Sequence, residues 1–447
     1  MLRKLKIANF SSFNEEVEFS MIPTREKIHR NEHLFQPFSK SVDVLRSGVV
    51  YGPNGSGKSN FIRAVEFAER VITKGVRPKK SIPTKTFKLD KNSRKAPTKF
   101  YFEIETFTGA FSYEFHLTNE VVIYEKLLEL TKFSEKLCFE RFDEDEGAAF
   151  KFGAVVDRLP KDDYQNIRFV ANGTRRNQLF LTETIERNIE LFNSVYKWFS
   201  ESIRVFSPQS IGHGIEFRLG DDESFTNFLR DLLSEFDPSI RNISKEFVGV
   251  DMAKDIPRQI ISELDDELDD GGAVFISNPA NGNRSVVMKK DGELVVLKIF
   301  VERRFQKSTK LATFDLEEES DGTRRLIDLA PLFYELLFSD KPIVAFIDEL
   351  DRSLHPLVTR RLMELFFSRS ADRNGKSQVI ITTHNTVLLD IELLRKDEVW
   401  VIEKTSGASI IKSVQRDFSP RYDRDMRKDY LAGLYGGMPG YPKKEII

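Results

Sequence analysis

Eight residues, Gly52-Pro53-Asn54-Gly55-Ser56-Gly57-Lys58-Ser59, fit the pattern G-x-x-x-x-G-K-[ST] in full. Glycines in such a loop let the backbone wrap until successive N–H groups point at phosphate oxygens. Lys58 has the type and spacing to reach β- and γ-phosphates, and the Ser59 hydroxyl suits Mg²⁺. ATP contacts are therefore expected from Gly52, Asn54, Gly55, Ser56, Gly57, Lys58, Ser59 and Asn60.

Three later stretches could complete that chemistry. Ile343-Val344-Ala345-Phe346-Ile347-Asp348-Glu349 is an apolar run ending in two carboxylates. Asp348 is expected to hold Mg²⁺ with Ser59, largely through water. Glu349 alternates to the other side of the strand end and is the candidate general base. Gln378 to Thr383 is another apolar run, closed by His384, whose polar tip could sense a γ-phosphate. The last stretch, Leu316 to Leu326, contains Glu319-Ser320-Asp321-Gly322-Thr323 just ahead of an apolar helix. A Ser cap and a Gly at a helix start again make an anion site, and alone that signal is weak.

These residues need elements to position them. Val49-Val50-Tyr51 reads as a buried strand, and Asn60 to Lys74 as a helix with Phe61, Val65, Ala68 and Ile72 on one face and Gly75 as its stop. Open α/β sheets bind ligands at the C-terminal ends of their strands, so both carboxylates are expected at the phosphate loop. Residues 2–22 read as two strands around a turn, and 98–130 as an antiparallel meander, with a hairpin-like pair around the acidic turn Asp143 to Gly147. Residues 180–270 read as mainly helical, with helices over Leu181 to Ile203 and Phe225 to Phe236. Neither helix sustains heptads, so no long coiled-coil arm is expected. Residues 273–315 return to strands, and from Gly322 helix and buried strand alternate. The expected domains are an N-terminal lobe over 1–130, an inserted helical and β subdomain over 131–305 and a C-terminal lobe over 306–447. The fold class is α/β, with an antiparallel β lobe and an inserted, mainly helical subdomain.

Two charged stretches stand out. Residues 74–99 hold ten Lys/Arg against the single acid Asp90. They read either as a contact surface for nucleic acid or an acidic partner, or as a solvated loop punctuated by Pro78, Pro83 and Pro97. The acidic run Glu263 to Asp270 reads as a solvated helix end or as ligands for a divalent cation.

Composition narrows the class. A chain of 447 residues can bury a large core in two or three domains. The formal net charge of -2 does not itself advertise nucleic acid. The lone Cys138 excludes an intrachain disulfide, fits a reducing cytosol and reads as a small buried hydrophobe. Met1 to Ile7 alternates like a strand and lacks a signal-peptide core. No run of about 18 apolar residues is present, so no membrane span is expected.

The order of phosphate loop, Glu319-Ser320-Asp321-Gly322-Thr323, Asp348-Glu349 and Thr383-His384 resembles the ABC-type ATPases of the RecF, SMC and OLD-like branch. More narrowly, the chain resembles the small prokaryotic AAA/ABC-like ATPases of abortive infection and phage defence. The resemblance covers Ile7 to Phe13, the phosphate loop and nearly everything from Phe314 to Pro439. It includes a D-loop-like Leu350 to Pro356 and the ending Tyr430 to Pro439. It implies an ABC-type P-loop head that binds ATP and Mg²⁺, pairs head-to-tail at least as a homodimer and completes each site with Ser320, Gly322 and Thr323 of a second subunit. The signature segment departs from the Leu-Ser-Gly-Gly-Gln of transporters, with Thr323 replacing a glycine. No glutamine-loop residue can be placed, Gln165 and Gln178 being candidates. Only about 60 residues follow His384, too few for an OLD-type Toprim nuclease, and no HEPN-like motif is present.

The expected function is a cytoplasmic ATPase switch, slow in turnover, that controls a separate nuclease or toxin in anti-phage defence. The alternatives are a DNA-repair or chromosome-maintenance ATPase binding DNA through 74–99, and a module that holds ATP with negligible turnover.

Overall fold

The computed structural model describes residues 1–36, 42–144, 147–212, 214–250, 256–277, 284–305, 308, 310–371, 376–421 and 424–438. Asp145 and Glu146 of the acidic turn and Pro439 of the ending lie outside them. The chain divides into two compact units. The first comprises Met1–Gln209, Leu336–Asp351 and Thr359–Ile447, and the second Ser210–Glu335 and Arg352–Val358. The first crossover falls at 209/210, well beyond the 130/131 boundary expected from sequence.

The first unit contains two large sheets. One has the strand order Ile203–Phe206, Val344–Ile347, Gln378–Thr382, Ser47–Tyr51, Val399–Thr405 and Ala408–Ser413. Its strands are parallel except for the closing hairpin. Every residue of Ser47–Tyr51, Val344–Ile347 and Gln378–Thr382 is buried. That explains their continuous apolar runs, because a parallel sheet is covered on both faces. The other sheet has seven antiparallel strands. Leu2–Ala8 lies between Val17–Ser20 and Thr98–Glu105, and the meander continues through Ala110–Leu117, Val122–Leu130, Glu135–Glu144 and Gly147–Phe152.

The helix Lys58–Lys74 packs into the core of this unit and buries apolar residues on several sides, among them Phe61, Val65, Phe67, Ala68 and Ile72. Phe61 meets Phe19 at 5.1 Å between ring centroids, and Phe67 meets Phe10 at 5.4 Å and Phe100 at 5.7 Å. Each such ring is worth about 1.5–3 kcal/mol of burial. The helix ends at Gly75, whose φ of 61° suits a residue without a Cβ.

The expected helix over Leu181 to Ile203 is broken. Phe180–Glu186 is helical, Asn188 turns left-handed at φ 58°, and short helical turns follow before Ile203 enters the parallel sheet. Phe180, Leu181, Phe192, Val195, Trp198 and Phe199 are all buried. Their helix-like spacing therefore reflects a shared core contact rather than one rod. Residues 240–249, expected within a mainly helical region, form a strand.

The second unit is an antiparallel sheet with helices. Glu293–Arg304 pairs along its length with Ile240–Gly249, and its two halves pair with Arg284–Lys290 and with Leu311–Asp315. Ala273–Ser277 completes the sheet beside Arg284–Lys290. The helix Glu223–Phe236 starts at Asp222, whose carboxylate accepts the Phe225 N–H at 2.9 Å, and buries Phe225, Leu229, Leu232 and Leu233. Part of the acidic run lies in the helix Arg258–Glu267, where Asp265 pairs with Lys289 at 3.1 Å. Asp270 accepts the Gly292 N–H at 3.1 Å. Among the described residues no three His, Cys, Asp or Glu side chains gather as a metal cage, and no helix is long and apolar enough to cross a membrane.

Candidate functional site

The buried strand Ser47–Tyr51 delivers the chain to Gly52 in the first unit. A Cβ on Gly52 would overlap the Ile402 carbonyl oxygen, and one on Gly57, at φ 118°, would overlap Ser409. Both glycines are demanded by close approach. Asn54 and Gly55 are exposed at the loop tip, and Ser59 is half-buried at the helix start. The Asn60 amide donates to the Ser12 hydroxyl at 2.9 Å, and Ser409 bonds both that hydroxyl and the Ser56 carbonyl. Asn60, expected among the ATP contacts, therefore has its amide committed to bracing the loop from below.

Lys58 is buried, and its ammonium donates to the Gly52 carbonyl at 2.8 Å and the Pro53 carbonyl at 3.2 Å. It is bonded to its own loop. Burial pulls its pKa down to about 8, while the charges of Asp348, Glu349 and Asp351 act the other way. All three carboxylates therefore lie near the ammonium. The Ser56 hydroxyl is buried without a hydrogen-bond partner.

The strand ends supply the carboxylates. Val344–Ile347 and Gln378–Thr382 are parallel neighbours, so residues just past them emerge side by side. The Thr382 hydroxyl donates to Asp348 Oδ1 at 2.6 Å and accepts the Glu349 N–H at 2.8 Å. Glu349 takes a left-handed φ of 50°, costly for a residue with a Cβ, which turns its side chain away from the course of the strand. The Asp351 carboxylate accepts the His384 N–H at 3.2 Å through Oδ2, and its Oδ1 is buried without a partner. His384 keeps an exposed edge. Its pKa lies below the ordinary value, first because packing removes solvent from the ring and second because of the Lys58 charge. The structure thus brings Lys58, Asp348, Glu349 and His384 together, and adds Thr382 and Asp351, to which no role is assigned from sequence. The signal for Thr382 was a hydroxyl at the end of an otherwise apolar strand.

Ser320, Gly322 and Thr323 lie in the second unit. The Ser320 hydroxyl caps the helix Asp321–Phe338 by accepting the Thr323 N–H at 3.1 Å. A Cβ on Gly322 would come to 3.0 Å from the Ser353 carbonyl. The preceding Glu319 is buried, and Arg303 of the sheet forks onto it at 2.6 and 2.9 Å. Arg303 also reaches Asp237 at 2.5 Å. This clamp was not visible in the sequence, where Arg303 and Asp237 are 66 positions apart.

The ending Tyr430 to Met438 folds back beside the phosphate loop in the first unit. Tyr430 packs on Tyr51 at 5.4 Å and donates to the Gly437 carbonyl at 3.1 Å. Gly437 N–H donates to Glu403 at 3.1 Å. A Cβ on Gly437, at φ 68°, would overlap Val401 and come to 3.7 Å from the Gly52 α-carbon.

Neither glutamine candidate stands at the loop. Gln165 is exposed on the helix Lys161–Gly173. Gln178 is buried and accepts the Val76 N–H at 2.9 Å, just past the far end of the helix that starts at Lys58. That helix has 17 residues and a length of about 25 Å.

The donor set fits a nucleotide with a hard cation. It comprises an ammonium bonded only to main-chain carbonyls, an orphaned buried hydroxyl at Ser56, an orphaned carboxylate oxygen at Asp351 and oxygen ligands throughout.

No curated protein matches the chain. Among solved structures, an SMC head bound to the C-terminal winged-helix domain of ScpA is 14% identical, with a TM-score of 0.42, covering 94% of this chain and 98% of that one. The SMC head domain from Thermotoga maritima is 15% identical, with a TM-score of 0.38, covering 92% of this chain and 98% of that one. A family described as "AAA domain, putative AbiEii toxin, Type IV TA system" matches residues 49–390, more than half of the chain and the whole span from the phosphate-loop strand to just past His384. The chain belongs to this family of AAA ATPases.

Proposed function

We propose that this ATPase is a switch that assembles at least as a dimer and controls a separate nuclease or toxin in prokaryotic anti-phage defence. The observation that supports it most is the nearness of Asp348, Glu349, Asp351 and His384 to the Lys58 ammonium, beside a phosphate loop braced by Ser409 and Ile402. ATP would be held by Gly52, Asn54, Gly55, Ser56, Gly57, Lys58 and Ser59, and Asn60 would act through Ser12. Mg²⁺, when bound, neutralises phosphate charge. Ser59 and Asp348 are the residues to hold it. Glu349 would take the proton of the attacking water and His384 would report the γ-phosphate. Ser320, Gly322 and Thr323 would complete the site from a second subunit. Turnover is slow in this reading and the protein acts in the cytoplasm. The toxin–antitoxin wording of the family description favours defence over chromosome maintenance.

Mixing two inactive variants tests the composite site. Ser320→Arg and Lys58→Ala should each be inactive alone. Mixed, they should regain a fraction of wild-type hydrolysis, because a mixed pair retains one intact site. No regain on mixing, or full activity of Ser320→Arg alone, would remove the trans assignment. The effector reading is tested by capturing the Glu349→Gln protein from its host and identifying the chain that accompanies it. Growth arrest caused by this chain alone would mean that it is the toxin itself.

A further inference from the structure

We infer that the first unit carries a preorganised groove for the phosphate backbone of duplex nucleic acid, built jointly by the basic loop after Gly75 and by Arg175. The groove has a volume of about 610 Å³, and its lining includes Lys79, Lys80, Ser81, Arg175, Arg176 and one acid, Glu120. Half of the basic lining comes from a segment about a hundred residues from the basic stretch. The charge run is therefore not a solvated loop alone, since the fold adds cations to it.

Three loops are fastened together to make the groove. Ile82 N–H donates to Asn119 O at 2.8 Å, and Val122 N–H to Arg176 O at 2.8 Å. The Asn177 amide donates to Lys80 O at 2.9 Å and to Arg77 O at 3.2 Å. Beneath them the fully buried Arg141 donates to Gln178 O at 2.5 Å and Arg175 O at 3.1 Å, with Glu125 at 3.6 Å balancing its charge. Lys79 is held left-handed at φ 60°, a backbone that residues with a Cβ rarely adopt. Strain of this kind is retained where the position of a side chain matters.

Of the four cations Lys79 and Lys80 are exposed and Arg175 is half-buried. Arg176 is engaged with Asp143 at 2.6 Å. Among the described residues Lys79 and Lys80 have no ion-pair partner, and Arg175 Nη1 is buried without a hydrogen-bond partner. The lining favours a phosphate backbone over an acidic protein. It offers ammonium, guanidinium, amide and hydroxyl donors, and no aromatic or large aliphatic anchor of the kind that dominates protein interfaces. Without an aromatic platform it has no means to stack unpaired bases, so sequence-independent contact with a duplex is the chemistry that remains. The inference stands apart from the effector reading, since it says what the first unit touches and not what the ATPase controls.

The test is anisotropy of a short fluorescent DNA duplex titrated with the full chain at several salt concentrations. The wild type should bind, with affinity falling steeply between about 50 and 200 mM salt. Lys79→Glu/Lys80→Glu/Arg175→Glu should weaken binding by about tenfold or more at the low end and flatten the salt slope by about three. Lys79→Gln/Lys80→Gln, at two exposed positions, should give a smaller loss in the same direction with an unchanged melting temperature and basal ATPase rate. Absence of binding by the wild type, an unchanged salt slope in the triple variant, or displacement by polyglutamate more readily than by unlabelled duplex would overturn the inference.

Discussion

The Thr382 hydroxyl donates to Asp348 Oδ1 at 2.6 Å, joining the ends of two adjacent parallel strands at the proposed ATP site. The same oxygen accepts the Glu349 N–H at 2.8 Å. One hydroxyl therefore fixes both the carboxylate proposed for Mg²⁺ and the backbone that aims the proposed base. Thr382→Val keeps the shape and removes both bonds. We expect a stability loss of about 1–3 kcal/mol, because a buried acceptor loses its donor. Hydrolysis should fall by about 10–100-fold, the usual effect of removing a group that orients a ligating carboxylate. Steady-state rates beside thermal unfolding check this. A full rate at reduced stability would make Thr382 purely structural.

Glu349→Gln keeps the volume of the side chain, exchanges one acceptor oxygen for an amide donor and removes the base. A positioned base contributes about 10²–10⁴-fold, so hydrolysis should fall by at least the lower figure. Nucleotide affinity should remain within a few-fold of the wild type, because Lys58 and the loop are untouched. With ATP present the variant should accumulate as a larger species by light scattering. A wild-type rate would place the base elsewhere.

How much of this was legible in the sequence depends on whether a constraint was local. The phosphate loop and its helix show in local spacing, and the left-handed φ at Gly57 and Gly75 is a local demand for glycine, whereas the close approach of Ile402 to Gly52 and of Ser409 to Gly57 comes from far along the chain. The parallel strands were legible because burial on both faces leaves only apolar residues. Arg303 on Glu319 and Asn60 on Ser12 were not legible, because each joins residues whose spacing in sequence carries no periodicity. The region from Leu181 to Ile203 misled for the opposite reason. Its apolar residues repeat at helical spacing, yet Asn188 breaks the rod and the core collects them from separate short turns.

Lys58 gives a pH dependence with a definite sign. Its pKa is pulled down to about 8 by burial. Phosphate oxygens beside the ammonium favour its charged form and raise that value on binding. Below pH 8 the proton is already present and affinity should be flat in this respect. Above pH 8 binding must take up a proton, and affinity should fall by up to about tenfold per pH unit. Calorimetry in buffers of different ionisation enthalpy measures the uptake directly. It should be small near pH 7 and approach about one proton near pH 9. No uptake near pH 9 would show that the ammonium does not titrate there.

The ending of the chain bears on nucleotide affinity through Gly437. A Cβ there would overlap Val401, whose strand neighbour Tyr51 leads directly into Gly52, and Gly52 carries the carbonyl that holds Lys58. Gly437→Ala drives a methyl group into Val401 and strains a left-handed backbone at φ 68°. Gly433, in the same ending, has φ 77° and open space around a Cβ. Gly433→Ala therefore carries a similar backbone cost, about 1–2 kcal/mol, without the push on Val401. If the ending only stabilises the unit, both variants should lower the melting temperature and leave ATP affinity alone. We expect instead that Gly437→Ala weakens ATP binding by about tenfold while Gly433→Ala does not, the difference corresponding to about 1.4 kcal/mol. Titration with a fluorescent ATP analogue separates the two cases. Equal affinities would mean that the ending packs beside the phosphate loop without setting its position.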